Sequence, residues 1–221
     1  MIPGDALRAS GRRRNLGATM ATRLRPATGM ALLEARRLPP LSGTRVLLRS
    51  LRDRDADDIH AIFSDPETTR LWNTTAMQSK AEARRLIREI REEQAQGLLW
   101  EWGLTLGQED RVIGTCALFH LDRDNRRAEV GFALGRPWWG RGLMREGLGV
   151  LIDFCFGELD LRRLEADVDP RNAASIGLLE RFGFRREGLL RERWNVGGEL
   201  QDTVIYGLLR REYRAAGEGP P

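Results

Sequence analysis

Three features of the sequence predict an α/β (α+β) fold: a mostly antiparallel, twisted sheet of about seven strands with about four helices. Segments with period-2 hydrophobicity and segments with period-3.6 hydrophobicity alternate from residue 44 to residue 209. Three successive strands near the middle are joined by short polar turns, which is the pattern of an antiparallel meander. Further on, a strand, a helix and a second strand follow one another, and this order demands a right-handed parallel crossover.

The elements follow in order. Residues 45–49 (RVLLR) form a short strand. Acidic residues over 53–58 suit a helix N-terminus, and Ile59, Ile62 and Phe63 give that helix its apolar stripe, before Asp65-Pro66 breaks it. A second helix spans 79–96, with Ser79 as its cap, Leu86, Ile87 and Ile90 facing inward, and Gly97 as its stop. Strands at 99–106, 111–121 and 126–134 come next. In the last of these, Ala128, Val130, Phe132 and Leu134 share an apolar face, while Glu129, Gly131 and Ala133 share the other. A third helix starts near Leu143 and turns Met144, Leu148, Leu151 and Cys155 inward. A strand at 163–168 precedes a short helix at 173–181, which Asn172 caps and Gly183 closes. Residues 185–195 and 199–209 make a hairpin around Gly197-Gly198.

Composition bounds the function. A chain of 221 residues, 41% hydrophobic, buries one good core. It has no run of about eighteen apolar residues, so no membrane helix is expected. Cys116 and Cys155 form no Cys-x-x-Cys pair and there are only two histidines, which argues against a disulfide framework or a metal centre and fits a reducing cytoplasm. The net charge of +4 is uneven. Residues 1–40 carry eight arginines against Asp5 and Glu34, a local +6 that leaves −2 for the rest, so a nucleic-acid partner is not expected. With no sustained periodicity, residues 1–40 read as a disordered tail or as the product of a start codon placed too early, and 214–221 as a flexible end.

The densest signal is Gly135-Arg136-Pro137-Trp138-Trp139-Gly140-Arg141-Gly142-Leu143-Met144. A strand that passes through a glycine turn into a helix presents free backbone N–H groups at the positive end of the helix dipole, which suits phosphate or pyrophosphate. Gly140 and Gly142 permit positive φ and close ligand approach. Taken alone, Gly-x-Gly is a weak signal and more often a mere tight connection. There is no Gly-Lys-Ser/Thr of a P-loop, and Arg145 stands where a dinucleotide fingerprint has its third glycine.

The order of elements, with Gly140-x-Gly142 after the fourth strand and Asn172-x-x-Ser175 before Phe182-Gly183-Phe184, resembles the GNAT superfamily of N-acetyltransferases. The Trp139-Gly140-Arg141-Gly142 turn, the Ala128-Glu129-Val130-Gly131 strand and Asp65-Pro66-Glu67 resemble its RimJ/RimL-like branch. That branch acetylates N-terminal residues of ribosomal proteins, or small amines. The resemblance covers residues 41–213 as one N-acetyltransferase domain and implies a splayed central parallel pair of strands. It further implies acetyl-CoA as co-substrate, with the backbone of Phe132, Ala133 and Leu134 on the pantetheine arm and the amides of Gly140, Arg141, Gly142, Leu143 and Met144 on the pyrophosphate. Asn172 would bond the pantetheine and Ser175 would sit near the sulfur.

By the same resemblance, Glu129 is the base that takes the amine's proton, directly or through water. Two departures stand out. The position where many relatives carry a tyrosine acid is Leu179, so Ser175 would meet the leaving thiolate or the thiolate leaves unprotonated. Pro137 lacks an N–H where the superfamily often has Gln or Arg, with Arg136 or Arg141 available to compensate. Plainer readings stand beside these: Glu129 as a strand carboxylate paired with Arg126 or Arg127, Ser175 and Asn172 as capping residues, His120 as a solvated strand end, and Trp100-Glu101-Trp102 as core alternation. The partners expected are acetyl-CoA and an amine acceptor, either a protein N-terminus or a small molecule such as a polyamine or aminoglycoside, with a homodimer compatible. A non-catalytic acetyl-CoA-binding module is the remaining alternative.

Overall fold

The computed structural model describes residues 28–213 apart from Ala35 and Gln108. The strands are β1 (Leu41–Ser42), β2 (Val46–Ser50), β3 (Leu99–Leu106), β4 (Glu109–Asp122), β5 (Arg127–Leu134), β6 (Arg163–Val168), β7 (Arg185–Val196) and β8 (Glu199–Leu209). They form one sheet in the order β1-β2-β3-β4-β5-β6-β8-β7, and only β5 and β6 run parallel. The helices are α1 (Thr28–Glu34), α2 (Ala56–Phe63), α3 (Pro66–Thr69), α4 (Lys80–Gln96), α5 (Leu143–Gly157) and α6 (Ala173–Arg181). Among the described residues this is one strand and two helices more than expected. The additions, β1, α1 and α3, have two, seven and four residues, too few to display a period.

The two faces of the sheet carry separate cores. On one, α5 lays Leu148, Leu151, Ile152 and Cys155 against Trp100, Trp102, Leu118 and Ala128, all of them buried. On the other, α2 and α4 pack Ile59, Ile62, Ile87 and Ile90 onto Val112, Ala117 and Ala133. Local chemistry fixes the helix ends. Ser79 Oγ accepts from Glu82 N while Gln78 N donates to Glu82 Oε2, and Gly97 ends α4 at φ 78°. A buried Arg49–Asp55 pair with contacts of 2.7 and 2.9 Å ties β2 to the start of α2.

The reading of residues 1–40 as an undocked tail needs correction at its C-terminal end. Leu33 on α1 is fully buried in the α5-side core, and Trp102 Nε1 donates to Pro39 O at 2.8 Å. One buried leucine in a single short helix gives no periodic signal, which is why the sequence did not reveal it. Residues 1–27 and 214–221 lie outside the described residues.

The sheet opens where the parallel pair ends. β5 and β6 pair only at Arg127↔Arg163, Ala128↔Leu164 and Glu129↔Glu165. Beyond Glu129, β5 stays with β4 as far as Leu134↔Gly114, while β6 stays with β8 as far as Val168↔Val204. A wedge is left between the two strand edges.

Candidate active site

Strand alternation decides which backbone groups face this wedge. Gly135 N donates to Ile113 O of β4, and Ala133 is paired with Thr115, so the odd-numbered residues of β5 bond toward β4. Phe132 and Leu134 therefore turn their backbone groups toward the wedge. Ala133, expected to share that role, does not: its backbone belongs to the β4 ladder. The carbonyl of Leu134 is also taken, by Trp139 Nε1 at 2.6 Å, which leaves its N–H. This indole is 46% exposed and lies over the free edge of β5.

The glycine turn closes one end of the wedge. Gly140 and Gly142 adopt φ 72° and 71°, and Gly142 is the N-cap of the 15-residue α5 without any side-chain cap. Among the described residues, the amides of Gly140, Arg141, Gly142, Leu143 and Met144 donate no hydrogen bond within the chain. A Cβ on Gly140 would meet nothing within 4 Å, so the space above the turn is open. The turn is braced from behind. Arg45 donates to the carbonyls of Arg141 (3.1 Å) and Gly142 (3.4 Å) and pairs with Glu146 at 2.8 Å. Its grip on the carbonyls holds the amides pointing the opposite way. Arg141 lies over the Trp138 ring at 5.1 Å, whereas Arg136 is drawn off to Asp65 at 2.7 Å, so of these two only Arg141 remains beside the turn.

The wedge leads into a cavity of about 670 Å³ between the sheet, α4 and the β7–β8 hairpin. Glu129, Phe132, Asn172 and Ser175 all line it, and the structure thereby brings together residues from β5 and α6. Asn172 Oδ1 caps α6 by accepting from Ser175 N at 3.1 Å, and its Nδ2 has no partner among the described residues. Leu179 is 1% exposed at the base of the same wall. The two tyrosines of the chain act elsewhere, Tyr206 donating to Glu180 and Tyr213 to Asp153.

Glu129 is not paired with Arg126 or Arg127. Its Oε2 lies 3.0 Å from His120 Nδ1, a partner that sequence reading set aside as a solvated strand end. Arg127 goes to Glu165 and Arg126 to Asp160. The space above Gly131 is also less open than its small side chain suggests, because the Phe119 ring comes within 2.6 Å of where a Cβ would stand. Room for a ligand lies instead over the wedge, where Asp167 on β6 faces Glu129. Burial, and then the charge of Glu129, raise the pKa of Asp167.

The cavity is acidic. Glu101, Asp202 and three glutamates of α4 line it with Glu129 and Asp167, against Arg85, Arg193 and His120. Glu101 projects from β3 between the two buried tryptophans, and burial pushes its pKa up to about 7 against the hydrogen bond of Thr115. The sequence placed the tryptophans correctly in the core. It could not show that the residue between them faces the same space as Glu129, since that depends on the register Glu101↔Ala117↔Gly131.

Residues 45–185 match the acetyltransferase (GNAT) domain family. The chain belongs to that family. Relatives of this acyltransferase include the uncharacterized N-acetyltransferase p20 of Bacillus licheniformis, 40% identical over 76% of this chain and 95% of the relative. The [ribosomal protein uS5]-alanine N-acetyltransferase of Escherichia coli is 27% identical over 76% of this chain and 89% of that protein. Mycobacterium smegmatis RimJ, solved in complex with CoA-disulfide, superposes with a TM-score of 0.70 at 26% identity, covering 79% of this chain and 87% of that one. The fold and the placement in the RimJ/RimL-like branch stand on these matches. No helix among the described residues of this acetyltransferase is long and apolar enough to cross a membrane.

Proposed function

We propose that this acetyltransferase moves the acetyl group of acetyl-CoA to a primary amine by direct attack in a ternary complex, the acceptor being a protein N-terminus of the ribosomal-protein type. The observation that carries the reading is the wedge after Glu129↔Glu165, bounded by a turn of five unpartnered amides and opening into an acidic cavity.

The residues fit acetyl-CoA. The amides of Gly140 to Met144, at the positive end of α5, hold the pyrophosphate. Phe132 and the Leu134 N–H hold the pantetheine as a strand would, and Asn172 Nδ2 adds a donor from the far wall. The thioester supplies an activated acyl carbon. Glu129 takes the proton of the incoming ammonium, because only the neutral amine has a lone pair for attack. Ser175, on the first turn of α6, donates to the departing sulfur. Two strand edges and the turn fix the thioester's position, so that most of the rate gain comes from alignment.

A second acceptor class, a small polycation such as spermidine, is favoured by the carboxylates in the cavity. A mass-spectrometric screen of acetyl-CoA with Ala- and Ser-starting peptides and with spermidine separates the two. Acetylation of the peptide α-amine alone supports the first reading, spermidine alone the second. No thiol release with any amine overturns both.

A further inference from the structure

Strand β4 contains one residue too many. It pairs with β5 at Phe119↔Glu129 and again at Asp122↔Arg127, so three steps along β4 match two along β5. His120 absorbs the surplus at φ 48°, a left-handed conformation that side-chain-bearing residues seldom adopt. Without the bulge, alternation would turn His120 to the α5 face with Leu118. Instead Leu121 packs on that core, and His120 is swung onto the cavity face. There its Nδ1 meets Glu129 Oε2 at 3.0 Å, while its side chain remains 73% exposed and that of Glu129 only 21%.

We propose that His120 is a positioning residue that fixes the Glu129 carboxylate and carries the acceptor's proton from it to solvent. The inference rests on the role proposed for Glu129. The acceptor ammonium gives its proton to Glu129, which becomes neutral. The imidazole carrying its hydrogen on Nε2 takes that proton at Nδ1, restoring the carboxylate. Nδ1–H then donates to Oε2 and holds it, while the Nε2 proton passes to water. Exchange with water returns the ring to its starting form for the next turnover. No other reactant is needed. The groups facing the imidazole from neighbouring elements are Glu129 on β5, Asp167 on β6 and Arg193 on β7, the last two 3.5 Å apart. Arg127 and Glu165 at the same hollow are already paired with each other.

The bulge also supplies the test, because glycine and asparagine both tolerate a positive φ. His120→Gly empties the imidazole's place, and His120→Asn can still hydrogen-bond Glu129 but cannot carry a proton. With acetyl-CoA, and either an Ala-starting peptide or spermidine as acceptor, both variants are expected to lose at least about tenfold in kcat at neutral pH. KM for acetyl-CoA and Tm should hold. Added imidazole should restore His120→Gly and leave His120→Asn slow, and both deficits should close at high pH, where the amine arrives neutral. Full activity of His120→Asn, or no imidazole rescue of His120→Gly, overturns the relay. Glu129→Gln separates the layers: if it is unimpaired the underlying reading fails, and if it alone is impaired only the relay fails.

Discussion

Replacing Gly142 by valine tests where the cofactor's phosphates sit. Its φ of 71° costs a non-glycine residue roughly 1–2 kcal/mol. Sterics add little, since the nearest atom to a new Cβ is Arg45 Nη2 at 3.6 Å. Near 200 residues, 1 kcal/mol moves Tm by about 2–4 °C, so the ligand-free variant should melt about 2–8 °C below the parent and remain folded. The larger effect falls on the ligand. Relaxing φ to a negative value rotates the peptides on either side of residue 142, turning two amides away from the phosphates. Two hydrogen bonds to a charged group, at about 1.5 kcal/mol each, amount to roughly 100-fold in affinity. At acetyl-CoA equal to 100 times its Kd, the parent gains about 2.7 kcal/mol, or about 5–11 °C, in a thermal-shift assay. The variant would then sit near its own Kd and gain only about 0.4 kcal/mol, or about 1 °C. A ligand-induced shift equal to the parent's would show that the pyrophosphate does not lie on this turn.

Three further outcomes are expected. Leu33→Ala should cost about 2–5 kcal/mol, because Leu33 is fully buried, and deleting residues 1–38 should cost at least as much; unchanged Tm in both would mean that α1 does not hold the core. Glu129→Gln should lower kcat by about 10²–10⁴ at neutral pH with acetyl-CoA binding intact, the deficit shrinking as pH rises; near-full kcat would make Glu129 structural. Glu101 ionises near 4.5 in the unfolded chain but near 7 in the fold, so the folded state binds the extra proton between those values. Its contribution is fully present below about 4.5 and is lost as pH rises through 7, by up to about 3 kcal/mol. Urea unfolding of Glu101→Gln at pH 5 and pH 8 should therefore show a smaller decline than the parent, and equal declines would remove Glu101 from the buried end of the cavity.

The legible parts of the molecule were those in which one element carries its own evidence. Ser79, Gly97, Gly142 and Asn172 announce their helix ends because capping is decided within four residues. The apolar face of β5 and the inward stripe of α5 likewise repeat often enough to be read. What depends on register was not visible. The ladder between β4 and β5 removed Ala133 from the wedge, and the pairing of β5 with β6 set Glu165 opposite Glu129, with Asp167 two residues farther along the same face of β6. The bulge did leave a trace: Leu118 and Leu121 point to the same core although they are three apart, a slip in the period-2 pattern around His120.

Three departures from regular structure border the wedge: the β4 bulge and the end of β5–β6 pairing beside Glu129, and the left-handed glycine turn beyond the far end of β5. The last two leave backbone polar groups without partners among the described residues, and buried backbone groups left so cost stability. A sheet under no functional demand would zip β5 to β6 in the same register as far as Phe132 and Val168, and pair the backbone groups along those edges. That this one stops after three residue pairs means that stability has been given up where the donors of Phe132, Leu134 and the turn converge. On the proposed reading acetyl-CoA returns that stability by completing the ladder, so ligand binding should slow amide exchange on both edges of the wedge. Slowing confined to the turn would mean that only the phosphates are held, and that the wedge serves some other guest.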